Sequence, residues 1–124
     1  MKVLIIEDDK FMAESLAKKF KENGFALGHL ENGEKVVEET IAQKPDVIIL
    51  DILLPGKNGF EVLKELKEKE ETKNIPVIIV SNLGSKDDLE KGRQLGVADF
   101  MIKATVTPEE IVEKAKKIVA SIKS

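Results

Sequence analysis

The sequence predicts an α/β fold: one parallel sheet with helices packed on both of its faces. Two runs, Val47 to Leu50 (VIIL) and Val77 to Val80 (VIIV), are apolar at every position, as strands buried on both faces are. The segments between the strand-like runs carry apolar residues at helical spacing. Strand-like and helix-like segments then alternate five times without a repeat, a linker or a low-complexity stretch. That alternation fits parallel strands joined by right-handed crossovers, and 124 residues suit a single domain.

Taken in order, Val3 to Ile6 is the first buried strand, closed by Glu7-Asp8-Asp9. From about Lys10 to Asn23, Met12, Leu16 and Phe20 recur every fourth residue beside Ala13 and Ala17, and Gly24 stands at the C-terminal cap. Phe25 to Leu30 is a less apolar strand, nearer a sheet edge. Asn32-Gly33 is expected to open a helix with Val36, Val37, Thr40 and Ile41 inward, and Pro45 closes the connection to the central strand. Asn58-Gly59 starts a helix with Val62, Leu63 and Leu66 inward. The charged stretch from Lys67 to Asn74 reads as a solvated helix end.

After the fourth strand, Ser85 caps a helix whose first turn holds Asp87 and Asp88, where carboxylates suit the helix dipole. Its inner positions are Leu89, Gly92 and Leu95. A short fifth strand, about Asp99 to Ile102, ends at Lys103. Thr107-Pro108-Glu109-Glu110 supplies the last helix with an N-cap, a first-position proline and a capping-box glutamate. Its inward stripe is Ile111, Val112, Ala115, Ile118, Val119 and Ile122. The whole is expected to be a doubly wound (βα)5 three-layer sandwich of the flavodoxin-like class, with strand order 2-1-3-4-5, although other orders also satisfy right-handed crossovers.

Composition narrows the functions. Twenty basic residues against 23 acidic give a net charge of −3, which argues against a nucleic-acid binder relying on a basic face. The lack of cysteine excludes disulfides and thiolate metal sites. Four apolar residues before Glu7 make no signal peptide, and no run approaches the roughly 18 residues of a membrane span. A cytoplasmic location, with no direct contact to nucleic acid or membrane, is the expectation. His29, the single histidine, is read as a surface residue, and Asp9 as an exposed residue at a helix start.

The chemistry lies at the carboxyl ends of the strands, where open α/β sheets bind ligands. The first strand ends at Glu7 and Asp8, the third at Asp51, the fourth at Ser81, the fifth at Lys103. Asp51 follows a fully apolar strand, where an uncompensated carboxylate is costly. Strands one and three are neighbours in this order, so Asp8 and Asp51 should meet. Two carboxylates about 4 Å apart repel by roughly a few kcal/mol. A hard divalent cation relieves this, and Mg2+ (with Mn2+ as the alternative) needs few protein ligands. An acidic pocket, a metal, a hydroxyl and an ammonium together match phosphoryl transfer, with Asp51 as nucleophile and Ser81 and Lys103 on the phosphoryl oxygens.

With Glu7-Asp8 after VLII, Asp51 in DILLPGKNG, Ser81 after VIIV and Lys103 after ADFMI, the chain resembles the CheY-like receiver domains of response regulators in two-component signalling. The resemblance spans residues 2 to 122. It implies that Asp51 is the phosphoacceptor for a histidine kinase or phosphotransfer protein. It further implies that Asp8 binds Mg2+ directly, Glu7 through water, and Leu53 through its backbone carbonyl. Phe100 falls at the switch-aromatic position beside Ser81. The surface of the fourth helix, fifth strand and fifth helix would dock a downstream protein or a second copy in a weak dimer. Residues 1 to 124 read as one receiver domain with no output domain.

Two departures stand out. Ala104 follows Lys103 where the family usually has a proline, and a cis bond there would cost roughly 3 kcal/mol. Asn82 follows Ser81 where a smaller residue is commoner. Leu53 and Leu83 border the pocket mouth and are read as hindering the hydrolytic water, so that an aspartyl phosphate would live longer. Three other readings compete with this one. A flavodoxin needs a Ser/Thr/Gly-rich phosphate loop where this chain has three acids. A haloacid-dehalogenase-type phosphatase has a second Asp where Leu53 stands. A degenerate receiver acting only as a protein-binding module is the third.

Overall fold

The computed structural model describes residues 1–123. Its five strands are β1 (Lys2–Ile6), β2 (Ala26–Leu30), β3 (Val47–Leu50), β4 (Val77–Ser81) and β5 (Asp99–Ile102). They form one parallel sheet in the order β2-β1-β3-β4-β5, as the sequence predicts. The helices are α1 (Lys10–Glu22), α2 (Val36–Gln43), α3 (Gly59–Glu68), α4 (Lys86–Gln94) and α5 (Pro108–Lys123).

Strand periodicity divides the core in two. Val3, Ile5, Val47, Ile49, Ile78 and Val80 face one side, under Leu16 and Phe20 of α1 and Ile111, Val112, Ala115 and Val119 of α5. Leu4, Ile6, Ile48, Leu50, Val77 and Ile79 face the other, under Val36 of α2 and Phe60, Val62, Leu63 and Leu66 of α3. Alternate residues of each strand therefore bury into opposite layers, which is why the central strands are apolar throughout. Phe25 stays outside β2 and meets Phe20 edge-to-face, with ring centroids 4.9 Å apart.

Local caps follow the sequence closely. Asp9 caps α1 by accepting from the Met12 N–H, while Asn58–Glu61, Ser85–Asp88 and Thr107–Glu110 form reciprocal pairs at α3, α4 and α5. Four expectations need correction. Helix α2 begins at Val36, not at Asn32-Gly33, which stay in the preceding turn. Leu89 is 41% exposed and Ile122 57%, because α4 stands away from the core and α5 outruns it. The Lys67 to Asn74 stretch is not simply solvated: Thr72 is buried and donates to the Leu66 carbonyl at 2.6 Å. Lys67 Nζ turns in to the carbonyls of Lys73 and Ile75, at 3.2 and 3.3 Å, and burial lowers its pKa. None of the described helices is long and apolar enough to cross a membrane.

Candidate functional site

Three strand ends deliver the charged groups. Glu7 directly continues β1, its N–H donating to the Leu30 carbonyl of β2, so its side chain enters the sheet edge rather than solvent. It is only 3% exposed. Asp8 comes after the strand has ended and is exposed. Asp51 continues β3, its N–H donating to the Ile6 carbonyl of β1 at 3.1 Å, and it is 6% exposed. Neighbouring strands thus place Asp51 beside the end of β1. Carboxylate oxygens of Glu7, Asp8 and Asp51 all lie within 4.8 Å of one another.

Lys103 closes this cluster from β5. Its ammonium sits 2.5 Å from Glu7 Oε1 and donates to Asp51 Oδ2 at 2.8 Å, largely shielded from solvent. The other Asp51 oxygen, Oδ1, accepts the Ile52 N–H at 2.7 Å. One ammonium is thus shared by two buried carboxylates. Burial is the largest influence on Glu7 and pushes its carboxyl up to about 7; Lys103 opposes this and the adjoining Asp51 carboxylate reinforces it. For Lys103, burial works against the charge, but Asp51 and Glu7 outweigh it and raise the pKa.

The remaining residues lie around this core. Ser81 is fully buried at the end of β4, level with Ile102 of β5, and its Oγ accepts the Leu83 N–H at 3.3 Å. Leu53 is 60% exposed beside Asp51, whereas Leu83 is half-buried and packs on the α2–α3 side of the core. Phe100 is half-buried in that same cluster, its ring so close to Gly92 of α4 that a Cβ there would stand 3.0 Å from it. The peptide bonds among the described residues are all trans, Lys103–Ala104 included, and a 3-10 turn over Lys103–Thr105 follows β5. The Thr105 hydroxyl closes that turn on the Ile102 carbonyl at 3.1 Å. His29 is exposed, its Nε2 2.8 Å from the Glu7 carbonyl oxygen.

The donor set suits a hard cation: three carboxylates, oxygen-only, with one of them open to solvent for entry. The depth of Glu7 was the feature sequence reasoning undervalued. Its signal was available, because a residue in register after Ile6 falls on the side of the sheet that Val3 and Ile5 occupy.

The family model described as "Response regulator receiver domain" matches residues 3–116. The chain belongs to the response-regulator receiver family. Among curated relatives, the receiver is 30% identical over 98% of its length to the phosphate regulon transcriptional regulatory protein PhoB of Escherichia coli (strain K12). That match covers 52% of PhoB, so the chain spans about half the length of this relative. Among solved structures, the Francisella response regulator 1452 receiver domain superposes with a TM-score of 0.89 at 29% identity, covering 98% of each chain. The signal receiver domain of a signal transduction histidine kinase from Syntrophus aciditrophicus gives 0.88 at 29% identity, covering 98% of this receiver and 92% of that chain.

Proposed function

We propose that this receiver is a working phosphoacceptor. Asp51 takes a phosphoryl group from the phosphohistidine of a histidine kinase or phosphotransfer protein, or from a small phosphodonor. The single observation behind this reading is the Lys103 ammonium 2.8 Å from Asp51 Oδ2 inside a convergence of three carboxylates. An Asp51 carboxylate oxygen attacks phosphorus, the phosphorus–nitrogen bond breaks, and the imidazole nitrogen leaves with the electron pair. Glu7, Asp8, Asp51 and the Leu53 backbone carbonyl would hold Mg2+ or Mn2+. The ion supplies neutralisation of the phosphoryl oxygens. Lys103 passes from the Asp51 carboxylate to the phosphoryl group, and the Ser81 hydroxyl donates to one of its oxygens.

The added charge, close to two units, pulls on Ser81 and Lys103 and so on β4, β5 and the Phe100 ring against α4. The α4–β5–α5 face is then the surface that docks a downstream partner. The thin anchoring of α4, which buries only Gly92, supports this role.

Exposure of the protein to a small phosphodonor with Mg2+, followed by mass spectrometry, tests the assignment. One phosphate is expected on the wild type and none on Asp51→Ala. An unmodified wild type would leave the degenerate, protein-binding reading. Leu53, exposed two residues after Asp51, is proposed to slow hydrolysis of the aspartyl phosphate by obstructing water. Leu53→Asn should shorten the phosphoprotein's half-life, read by its decay after the donor is removed. Leu83→Glu should do so less, because Leu83 is turned toward the core.

A further inference from the structure

Asn32, Gly33 and Glu34 are left over by this chemistry. They start no helix, yet they are tightly built. The Asn32 Oδ1 accepts the Glu34 N–H at 3.0 Å, which fixes the turn. The Gly33 N–H donates to the Pro55 carbonyl at 3.1 Å. A Cβ on Gly33 would stand 2.1 Å from the Lys57 carbonyl oxygen, a backbone atom that cannot swing aside. The Glu34 side chain lies over Gly56, whose φ is +78°. The last three contacts fall on residues 55–57, in the loop that leaves Asp51.

That loop is gripped from inside as well. The Gly59 N–H donates to the Ile52 carbonyl at 2.8 Å, and a Cβ on Gly59 would meet the Asp51 carbonyl oxygen at 2.2 Å. Residues 51 to 59 are therefore held between α3 and the turn after β2.

We infer that the turn Asn32-Gly33-Glu34 is a buttress that positions the Asp51–Gly59 loop, and with it the Leu53 backbone carbonyl, for the cation. Gly33 is its positioning residue. It touches neither the carboxylates nor the phosphoryl group, and acts through the backbone at Pro55 and Lys57. This inference rests on the phosphoacceptor reading for what the loop holds. Removing an outer support of a metal site typically weakens the metal about 10–100-fold. Gly33→Ala should lie near the lower end, since the loop keeps its hold on Gly59.

The test compares the wild type with Gly33→Ala and with Gly24→Ala. Gly24 has φ +83° and lies between α1 and β2, at the amino end of the strands and opposite the site, so alanine there adds backbone strain remote from the carboxylates. Mg2+ binding is read by calorimetry, and phosphorylation by a small donor is followed across Mg2+ concentrations. Gly33→Ala should raise half-saturating Mg2+ about tenfold while leaving the plateau rate near that of the wild type. Gly24→Ala should lower the melting temperature and leave half-saturation alone. Equal half-saturation in Gly33→Ala and a Mg2+-binding wild type overturns the buttress and spares the phosphoacceptor reading. A wild type that binds no Mg2+ overturns both. Should Gly33→Ala not fold, hydrogen exchange on the wild type decides. Mg2+ should slow exchange of the Gly33 amide while leaving Ala26, bonded to the Met1 carbonyl, unchanged. An unaltered Gly33 amide refutes the inference.

Discussion

Helices α3 and α4 both open on a reciprocal capping pair, Asn58–Glu61 in one and Ser85–Asp88 in the other. Beyond the first turn they differ. Helix α3 buries Phe60, Val62, Leu63 and Leu66, while α4 buries only Gly92 and leaves Leu89 in water. Capping decides where a helix starts; it does not decide how firmly the helix is held, which depends on the apolar face it buries. The difference follows the site. The loop from Asp51 runs into α3, which needs a fixed platform. Helix α4 follows Ser81 and rests on Phe100, and little apolar area must be disturbed for it to shift.

The sharpest way to break this contrast is to truncate one leucine in each helix. Leu66 is fully buried, and Leu66→Ala should cost about 2–5 kcal/mol of stability. Leu89→Ala should stay within about 0.5 kcal/mol. Denaturant unfolding of the two variants checks both figures, and comparable losses would place α4 in the core after all. Hydrogen exchange should agree, with the amides of α4 opening before those of α3.

A second effect, smaller than the Leu66 loss, separates the site from α4. The Glu7 carboxyl titrates near 7 in the folded protein, against 4.5 for an unperturbed one. Its folded value is raised, so its contribution to stability is complete below about pH 4.5 and is lost as the pH climbs through about 7. In the presence of a chelator, the melting temperature should therefore fall between about pH 5 and pH 8. Glu7→Gln should flatten that fall, and Mg2+ should offset it by binding the deprotonated cluster. The local opening of α4, read by exchange and corrected for intrinsic rates, should not follow the same profile, because the groups that set the Glu7 titration, Lys103 and Asp51, lie outside α4. A wild type whose melting temperature holds steady over this range would show that Lys103 alone balances the two acids.

These contrasts also mark what could be read from the sequence. The strands and the four strand ends were legible because each rests on local pattern: apolar runs, helical spacing and caps. Their order came from the fold class alone, since other orders also satisfy right-handed crossovers, and the β1–β3 pairing settles it. Asp51 and Lys103 were legible only as a set: alone, each reads as a strand-end cap or a solvated lysine, and their shared place at the carboxyl ends of the strands is what marks them. The start of α2 was not. Asn32-Gly33 carries a good local signal for a helix opening, but the Pro55 carbonyl claims the Gly33 N–H, and that partner is remote in sequence. Leu89 was misplaced for the converse reason: its spacing fits an inward face, but the core beneath α4 is taken by Phe100. The depth of Glu7 relative to Asp8 depends on where β1 ends, and a shift of one residue exchanges their faces.

The smallest effect concerns what ties the two helices together. The Lys91 ammonium of α4 lies 4.7 Å from the centroid of the Phe60 ring on α3. Phe60 is buried, so the ring is fixed and the lysine is the member free to move. A cation over an aromatic face at an exposed site contributes about 0.5–1 kcal/mol. Lys91→Met removes the charge and keeps an unbranched apolar stem, so the global loss should sit at the bottom of that range. The local consequence should be larger than the global one. With Gly92 as its only buried residue, α4 has little else to resist a shift, and its amides should exchange faster while those of α3 keep their protection. Equal acceleration in both helices would mean that they open as one unit, and that Lys91 fastens a single block instead of tethering a loose helix to a fixed one.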